Sequence, residues 1–363
     1  MAAKKKEEEQ DQIDQLLSSK EFDGMHLGSR YGEDIILPDI IPSGSLIFDE
    51  LLGGGFRSSM WVRFFGEPET GKSSLGLSWA KKWQDFYPDD GFVVIYNAEG
   101  RITYDLLKRA GINLDKSRFR IVDTNVSDMI WSMMDKLIKN NSGKKKYFFL
   151  VDSTDACIRL HDSDKNIGEA EKIGGSATII STAGKKLSLL FSRSGHFLFM
   201  TSQVRDNVST YSPSGNSGKG ASGGNAPKFY SSLTGEIKKP WTDTYIYENP
   251  SDKKSKPIGR LVEIKFPKTF NEKSNTTILY PVKFGQGYWP EYEAMMYAQS
   301  YGLIEKKGAH YNVTDVFAKE LEDNKISADL HFHGERRMRE HFDENPKLSS
   351  YVLDKVRKLL FSS

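Results

Sequence analysis

The segment most informative for chemistry is Gly66-Glu67-Pro68-Glu69-Thr70-Gly71-Lys72-Ser73, which has the spacing of a phosphate-binding loop. Its glycines let the backbone curl so that successive N–H groups point at phosphate oxygens, and a helix that begins there adds its positive N-terminal end. In such a loop Lys72 pairs with the β- and γ-phosphates, and the Ser73 hydroxyl ligates Mg²⁺. A chance glycine-rich turn is the alternative. The strand-like Trp61 to Phe65 before the loop and the helical Ser74 to Asp85 after it favour a site for ATP and Mg²⁺.

Two carboxylates follow other apolar runs. Asp152 ends the run Tyr147 to Val151, as expected of a buried strand that brings a carboxylate to the Mg²⁺ shell. Glu99 comes after the strand-like Val93 to Tyr96, and ATP hydrolysis needs a base or a water-orienting group near the γ-phosphate. A carboxylate at a strand end is often only a solvated charge. After a complete phosphate-binding loop, we predict Asp152 as a metal-shell residue and Glu99 as the general base.

A parallel sheet would hold these groups together, because the carboxyl ends of parallel strands meet at one edge. From about Ile41 onward, short β-branched or aromatic runs alternate with helical stretches, which predicts an α/β fold with a mostly parallel sheet flanked by helices on both faces. From Glu291 onward the pattern is helical, with Tyr311 to Val313 as one short strand. The predicted strands of the sheet are Trp61 to Phe65, Phe92 to Tyr96, Phe119 to Val122, Tyr147 to Val151, His196 to Thr201, Gly235 to Lys238, Thr244 to Tyr247, Leu261 to Phe266 and Thr277 to Phe284.

The bulk composition fits this class of fold. The 363 residues allow one sizeable α/β core with a smaller satellite domain. A net charge of +2 from 51 basic and 49 acidic residues leaves any nucleic-acid contact to local segments. The single cysteine, Cys157, excludes an intrachain disulfide. No apolar run approaches the roughly 20 residues that cross a bilayer, so we expect a cytoplasmic protein without membrane contact.

Two segments lie outside the alternating pattern. The N-terminal Lys4 to Glu9 is charged, and Ile13, Leu16 and Leu17 behind it form an apolar stripe at helical spacing that is too short to stand alone. The stretch from Arg205 to Asn225 is rich in Ser, Gly and Asn, which cannot bury much apolar area. A loop of that length is uncommon and usually functional. We therefore predict a docking helix at the N-terminus and a mobile surface loop at 205–225.

Several motifs together resemble the bacterial RecA family, and in particular a bacteriophage member of it. The similarity is dispersed over nearly the whole chain, although Asn97 stands where the cellular proteins carry Asp. The matching motifs are Ile41-Pro42-Ser43-Gly44-Ser45-Leu46, Asn97-Ala98-Glu99, Val151-Asp152-Ser153, Gly223-Gly224-Asn225-Ala226-Pro227-Lys228-Phe229-Tyr230 and Leu303-Ile304-Glu305-Lys306-Lys307-Gly308-Ala309-His310-Tyr311.

The resemblance implies roles around the ATP site. It supports Glu99 as the catalytic base and identifies Gln203 as the sensor that contacts the γ-phosphate and relays its presence to the adjoining loop. An amide at a strand end can hydrogen-bond phosphate or water while its backbone anchors that loop. Lys265 and Lys268 resemble a lysine pair that reaches the γ-phosphate bound by a neighbouring subunit, although here two residues separate them where the family usually has one. Two solvated lysines are the alternative. Tyr104 is our candidate for stacking on the base.

The resemblance also implies two DNA-binding loops, at about Asp162 to Gly175 and Arg205 to Asn225. Basic side chains and glycine N–H groups contact phosphates, and an aromatic ring can pack against bases. A disordered linker with incidental charge is the alternative on composition alone. The candidate DNA-binding residues are Arg205, Tyr211, Lys219, Gly223, Gly224, Asn225 and Lys228.

The resemblance further implies an oligomerisation arm at 1–35, a RecA-like ATPase core at 36–288 and a small α+β domain at 289–363. The function that the resemblance implies is that of a DNA-dependent ATPase. Such a protein forms a helical filament on single-stranded DNA, pairs it with homologous duplex DNA and exchanges strands in recombination and repair. Loader or single-strand-binding proteins are further expected partners. The alternatives are a hexameric RecA-fold motor, against which the long glycine-rich loop and the arm argue, and a non-hydrolysing module that coats single-stranded DNA. The intact Lys72, Asp152 and Glu99 argue against the module.

Overall fold

The computed structural model describes residues 37–163, 165–166, 175–206, 219–221, 225–239, 241 and 244–361. From Asp39 onward these residues form one compact unit. The predicted arm at 1–35 and most of the two predicted DNA-binding loops lie outside the described residues. The domain boundary predicted between residues 288 and 289 stays a prediction.

Strands and helices alternate through most of the chain, and every strand predicted between Trp61 and Phe284 is present. None of the described helices combines the length and the apolarity that a bilayer-spanning segment requires. The strands are β1 (Ile40–Ile41), β2 (Phe56–Arg57), β3 (Trp61–Gly66), β4 (Gly91–Asn97), β5 (Phe119–Val122), β6 (Lys146–Asp152), β7 (Phe197–Asp206), β8 (Lys219–Ala221), β9 (Leu233–Ile237), β10 (Tyr245–Tyr247), β11 (Pro257–Lys268), β12 (Thr276–Lys283), β13 (Gly287–Tyr288), β14 (Ile304–Lys307), β15 (His310–Val313) and β16 (His331–His333). The helices are α1 (Leu46–Leu52), α2 (Lys72–Phe86), α3 (Tyr104–Arg109), α4 (Ser127–Lys139), α5 (Leu160–Ser163), α6 (Gly175–Ser194), α7 (Asn225–Tyr230), α8 (Pro290–Ser300), α9 (Asp315–Asp323), α10 (Glu335–Glu344) and α11 (Pro346–Phe361), with a 3₁₀ turn at Thr154–Ala156.

Within the described residues, the core is an eleven-stranded sheet in the order β13-β12-β11-β9-β3-β7-β6-β4-β5, with β10 paired to β11 and β8 to β7. The run from β9 to β5 is parallel throughout, and β10 to β13 add an antiparallel extension. The carboxyl ends of the parallel strands therefore meet at one edge. There Gly66 pairs with Gln203, and Asn97 pairs with Asp152.

Helices cover both faces of this sheet. Trp61 and Phe64 lie on β3 at positions of opposite parity, so their side chains reach opposite faces. Phe64 packs on Trp79 of α2. Trp61 packs on Trp131 of α4 and Phe191 of α6. The prediction of a mostly parallel sheet flanked by helices is confirmed.

The C-terminal part carries its own apolar cluster and a small sheet. Helices α8 to α11 pack around a cluster that includes Phe342, and β14, β15 and β16 form a three-stranded antiparallel sheet. The expected helices beyond Glu291 and the strand at Tyr311 to Val313 are confirmed, but the expectation of a single strand there is wrong. The two missed strands are short and mostly polar, and each buries one apolar residue, Ile304 in β14 and Phe332 in β16, so they show no usable alternation.

The segment that precedes the phosphate-binding loop joins the sheet to the C-terminal helices. The buried carboxylate of Glu293 in α8 accepts a hydrogen bond from Ser45 Oγ at 2.6 Å. It also accepts from the N–H groups of Leu46 at 2.9 Å and Ile47 at 3.1 Å. A carboxylate at a helix N-terminus also matches the positive end of the helix dipole. Asp49 in α1 then pairs with Arg357 of α11, with 2.7 Å between Oδ2 and Nη2. The motif around Ser45 thus anchors the C-terminal helices.

The expectation of a surface loop throughout 205–225 is wrong at its described ends. Strand β7 continues to Asp206, and β8 pairs with it in antiparallel register, with Val204 opposite Ala221. Helix α7 then begins at Asn225. Main-chain pairing with β8 orders the end of β7, which composition alone does not reveal.

Candidate nucleotide site

The phosphate-binding loop connects the end of β3 to the start of α2. A Cβ at Gly66 would lie 2.4 Å from the carbonyl oxygen of Ile237 on the neighbouring β9, so only glycine fits there. The loop turns through Glu69 and Gly71, whose φ angles are +61° and +100°. Gly71 is also the N-cap residue of α2 and has no side chain to cap it, so the first N–H groups of the helix are suited to an anion. The predicted strand, loop and helix are all present.

Lys72 lies inside the curl of this loop. Its ammonium group donates hydrogen bonds to the carbonyl oxygens of Gly66 at 3.0 Å and Glu67 at 2.7 Å. Burial lowers the pKa of Lys72, and the negative charges of Asp152, Glu99 and Asp155 oppose that shift. The predicted phosphate-binding cation is therefore held among the predicted carboxylates of the site.

The two predicted metal-shell residues meet at the end of β6. Asp152 is buried, and its carboxylate accepts hydrogen bonds from the hydroxyl groups of Thr201 and Ser73. Burial raises the pKa of Asp152, and these two hydrogen bonds lower it. A hydroxyl and a carboxylate oxygen are the hard oxygen ligands that Mg²⁺ takes, so the donor set fits this ion.

Glu99 and Gln203 also come together at this edge. Gln203 Nε2 donates a 3.3 Å hydrogen bond to Glu99 Oε1, which also accepts from the Ser153 hydroxyl. The other carboxylate oxygen of Glu99 lies 3.3 Å from Arg101, and the N–H of Glu99 donates to the carbonyl oxygen of Asp152 at 3.1 Å. The main chain of Glu99 is thus held beside the end of β6, and its side chain is held by Gln203 of β7.

The other predicted nucleotide-binding residues of the loop are held by local contacts or are exposed. Thr70 Oγ1 donates to the carbonyl oxygen of Glu67 at 2.9 Å, and the Glu67 carboxylate pairs with Lys239 at 3.0 Å. Pro68 and Glu69 are exposed, and Ser74 lies in the first turn of α2.

A cleft of about 610 Å³ lies beside the loop, between α2, α3 and the antiparallel extension of the sheet. Glu69, Thr70, Gly71 and Ser74 line it on the loop side. Its other lining residues include Leu106, Arg109 and Ala110 of α3 and Tyr245, Arg260, Tyr280, Lys283, Gly287 and Tyr288 of the extension.

Tyr104, the predicted base-stacking residue, is not among the described residues that line this cleft. Its ring is 60% exposed and carries Lys108 Nζ at 5.2 Å from its centroid. Base contact by Tyr104 stays a prediction. Sequence reasoning missed Arg260, whose Nη2 donates a 3.0 Å hydrogen bond to the carbonyl oxygen of Thr70. No motif marks this arginine, because its partner is 190 residues away in the chain.

The two predicted interface lysines lie on β11 but in different settings. Lys265 is exposed and pairs in register with Glu236 of β9. Lys268 donates a 3.0 Å hydrogen bond to the carbonyl oxygen of Phe229 at the end of α7. The register shifts between them, around Pro267, as expected where a proline interrupts a ladder. Their roles across a subunit interface stay predictions.

The predicted DNA-binding residues fall at and beyond the end of β7, and their contacts with DNA stay predictions. Arg205 lies in β7, Lys219 in β8, and Asn225 and Lys228 in α7; of these the structure describes the main chain. Tyr211, Gly223 and Gly224 lie outside the described residues.

The order of the strands, the curled loop and the carboxylates at the sheet edge define an α/β nucleotide-binding core of the P-loop class. The chain belongs to the RecA family, because the family model described as the RecA N-terminal domain matches residues 8–282.

Individual relatives agree with this assignment. The chain is similar to Protein RecA of Borrelia duttonii (strain Ly), at 25% identity over 324 residues, which covers 89% of this chain and 81% of that protein. Protein RecA of Desulforapulum autotrophicum is 24% identical over 337 residues, 93% of this chain and 87% of its own. Protein RecA of Lactococcus lactis subsp. cremoris (strain MG1363) is 25% identical over 292 residues, 80% of this chain and 70% of its own. These relatives support a recombinase of the RecA family.

Proposed function

We propose that this chain is an ATP-dependent homologous recombinase that forms filaments on single-stranded DNA and exchanges strands with a homologous duplex. The observation that carries the proposal is the 3.3 Å hydrogen bond between Gln203 Nε2 and Glu99 Oε1. It joins the group proposed to activate water to strand β7, and the end of β7 leads into the stretch proposed to bind DNA. Membership of the RecA family supports this linkage of ATP and DNA.

The loop is proposed to bind ATP with Mg²⁺. Lys72 would pair with the β- and γ-phosphates, and Ser73 and Asp152 would hold the metal ion, which when bound neutralises charge on the phosphate oxygens. The nucleoside would occupy the cleft beside Thr70 and Arg260. Glu99 would accept the proton of the attacking water.

Coupling to DNA would follow from competition for the Gln203 amide. A γ-phosphate that accepts a hydrogen bond from Gln203 draws it from Glu99 and shifts the end of β7, which orders or releases the second loop. A neighbouring subunit would supply Lys265 or Lys268 to the same phosphate, so that turnover depends on assembly. The non-closing rotation between subunits gives a helical filament.

The finer assignments belong to the same proposal. The second loop would contact single-stranded DNA, and loader or single-strand-binding proteins would act with the filament in the cytoplasm during recombination and repair. We further propose that the protein is a bacteriophage member of the family, working in the cytoplasm of its host.

ATP hydrolysis with and without single-stranded DNA tests the proposal. We expect DNA to stimulate turnover by the wild type, Lys72→Ala to abolish turnover, and electron microscopy to show filaments on DNA. Lys81→Ala is the matched control, because Lys81 lies on the same helix α2 and forms an ion pair with Asp85. It should behave as the wild type. Turnover that ignores DNA would refute the recombinase, rings would favour a hexameric motor, and undetectable turnover would favour a coating module.

A further inference from the structure

An arginine lies in the interior of the sheet below the phosphate-binding loop. Arg63 is on β3, three residues before Gly66, and is only 1% exposed. Its Nε donates a 2.8 Å hydrogen bond to Ser202 Oγ on β7. Ser202 Oγ is 3.0 Å from Thr154 Oγ1, which is 3.1 Å from the carbonyl oxygen of Thr201. Because a buried guanidinium is costly without a compensating charge, this position requires an acidic neighbour.

Asp155 lies in the 3₁₀ turn that follows β6, directly after Thr154, and its charge acts on Arg63. Burial lowers the pKa of Arg63 to about 10, and the negative charge of Asp155 opposes this shift. Burial also lowers the pKa of Lys72, and Asp155 is among the carboxylates that oppose it. One carboxylate therefore interacts electrostatically with the core arginine and with the lysine of the loop.

Asp155 also holds the main chain of the predicted sensor. Its Oδ2 accepts a 2.6 Å hydrogen bond from the N–H of Gln203. The ladder between β6 and β7 ends where Val151 pairs with Met200, and beyond that end the Asp155 carboxylate supplies the acceptor for the N–H of Gln203. The main chain of Gln203 is thereby fixed, while its side chain reaches Glu99.

We propose that Asp155, together with the hydrogen bonds that link Arg63, Ser202 and Thr154, positions Gln203 for its contact with Glu99 and connects the phosphate-binding strand to the end of β7. This inference rests on the proposed function and adds two positioning residues to it. Neither belongs to the phosphate-binding motif. Asp155 acts through the main chain of Gln203, and Arg63 acts through its hydrogen bond to Ser202, the residue before Gln203.

Steady-state kinetics on the full chain test the role of Asp155. We expect Asp155→Ala to lower the DNA-stimulated kcat about tenfold or more, as removal of an orienting partner commonly does, while the KM for ATP changes less than about twofold. Asp155→Asn should recover part of the loss, because its amide oxygen still accepts from the N–H of Gln203. Asp49→Ala is the matched control, because it removes a carboxylate that is buried and pairs with an arginine, Arg357, away from the site. It should lower the unfolding midpoint and leave kcat unchanged.

A double variant separates positioning from general damage. If Asp155 acts through Gln203, then Asp155→Ala adds less than about twofold to the loss already caused by Gln203→Ala. Additive losses, or equal losses for Asp155→Ala and Asp49→Ala, would overturn the inference. The same cycle run on DNA-free turnover keeps this test apart from the proposed function, which fails if DNA has no effect on the wild type.

Hydrogen exchange provides a readout that needs no turnover. With MgATP added, peptides covering residues 200–206 should exchange about tenfold faster in Asp155→Ala than in the wild type, because the N–H of Gln203 loses its acceptor. Asp49→Ala should match the wild type there. Unchanged exchange at these residues in Asp155→Ala would also overturn the inference.

Discussion

The side-chain amide of Gln203 lies 3.3 Å from Oε1 of Glu99, so the end of β7 and the turn after β4 are joined although 104 residues separate them. The role of the Glu99 charge can be tested by a substitution that removes the charge and keeps the shape of the side chain. In Glu99→Gln an amide of nearly the same shape fills the position but cannot accept a proton. We expect ATP turnover to fall about 10²-fold or more, with nucleotide affinity retained.

Glu305→Gln is the matched control for that substitution. Glu305 pairs with Lys307 at 3.2 Å on the small C-terminal sheet, so the same change there should leave turnover as in the wild type. If Glu99→Gln hydrolyses ATP at the wild-type rate, Glu99 is not the base.

The contact between Arg260 and the carbonyl oxygen of Thr70 predicts an effect on nucleotide affinity. Without the guanidinium the loop loses a hydrogen bond of about 1 kcal/mol, and Arg260→Ala should weaken nucleotide binding several-fold. Fluorescent-nucleotide titration measures this. Arg260→Lys keeps the positive charge, so its nucleotide affinity should lie between those of the wild type and Arg260→Ala. Equal affinity for the wild type and Arg260→Ala would show that the contact does not shape the loop.

His196 predicts a loss of stability in acid. It is fully buried, its Nδ1 accepts the N–H of Tyr147 at 3.1 Å, and burial lowers its pKa to about 3. Between the ordinary pKa of about 6.5 and that value, the unfolded chain binds a proton that the folded chain does not. The free energy of unfolding should therefore fall by up to about 1.4 kcal/mol per pH unit below about pH 6.5, and not change through this group above it.

Denaturant unfolding at about pH 7 and about pH 5 checks this slope. In His196→Gln the amide oxygen can still accept the N–H of Tyr147 but does not titrate, so the difference between the two pH values should shrink. An unchanged difference would mean that other groups cause the acid sensitivity.

Glu293 predicts a large effect on stability from one buried carboxylate. Glu293→Ala leaves the Ser45 hydroxyl and the first N–H groups of α1 without their acceptor, at a cost of about 1–3 kcal/mol for each buried group. Thermal unfolding should show a clear fall in midpoint. Glu291→Ala in the first turn of the same helix is the control and should change the midpoint little; equal shifts for both variants would contradict the capping role.

Much of the fold could be predicted from the sequence, because the patterns that indicate its strands are local. The predicted strands between Trp61 and Lys283 show apolar or β-branched runs between turn residues, and most of their apolar side chains are buried in this sheet. The C-terminal strands β14 and β16 were missed because each buries one side chain only. The apolar runs also do not predict the order of the strands in the sheet.

The phosphate-binding loop is the feature that the sequence determined by itself, because its geometry depends on contiguous residues between Gly66 and Ser73 whose spacing sets the backbone. The tertiary structure decided what surrounds that loop. Arg260 contacts it, and the charge of Asp155 acts on Lys72, only because the sheet brings β11 and the end of β6 to the same edge as the end of β3. Contacts between strands far apart in the chain depend on lateral order and register, and neither is encoded in any one segment.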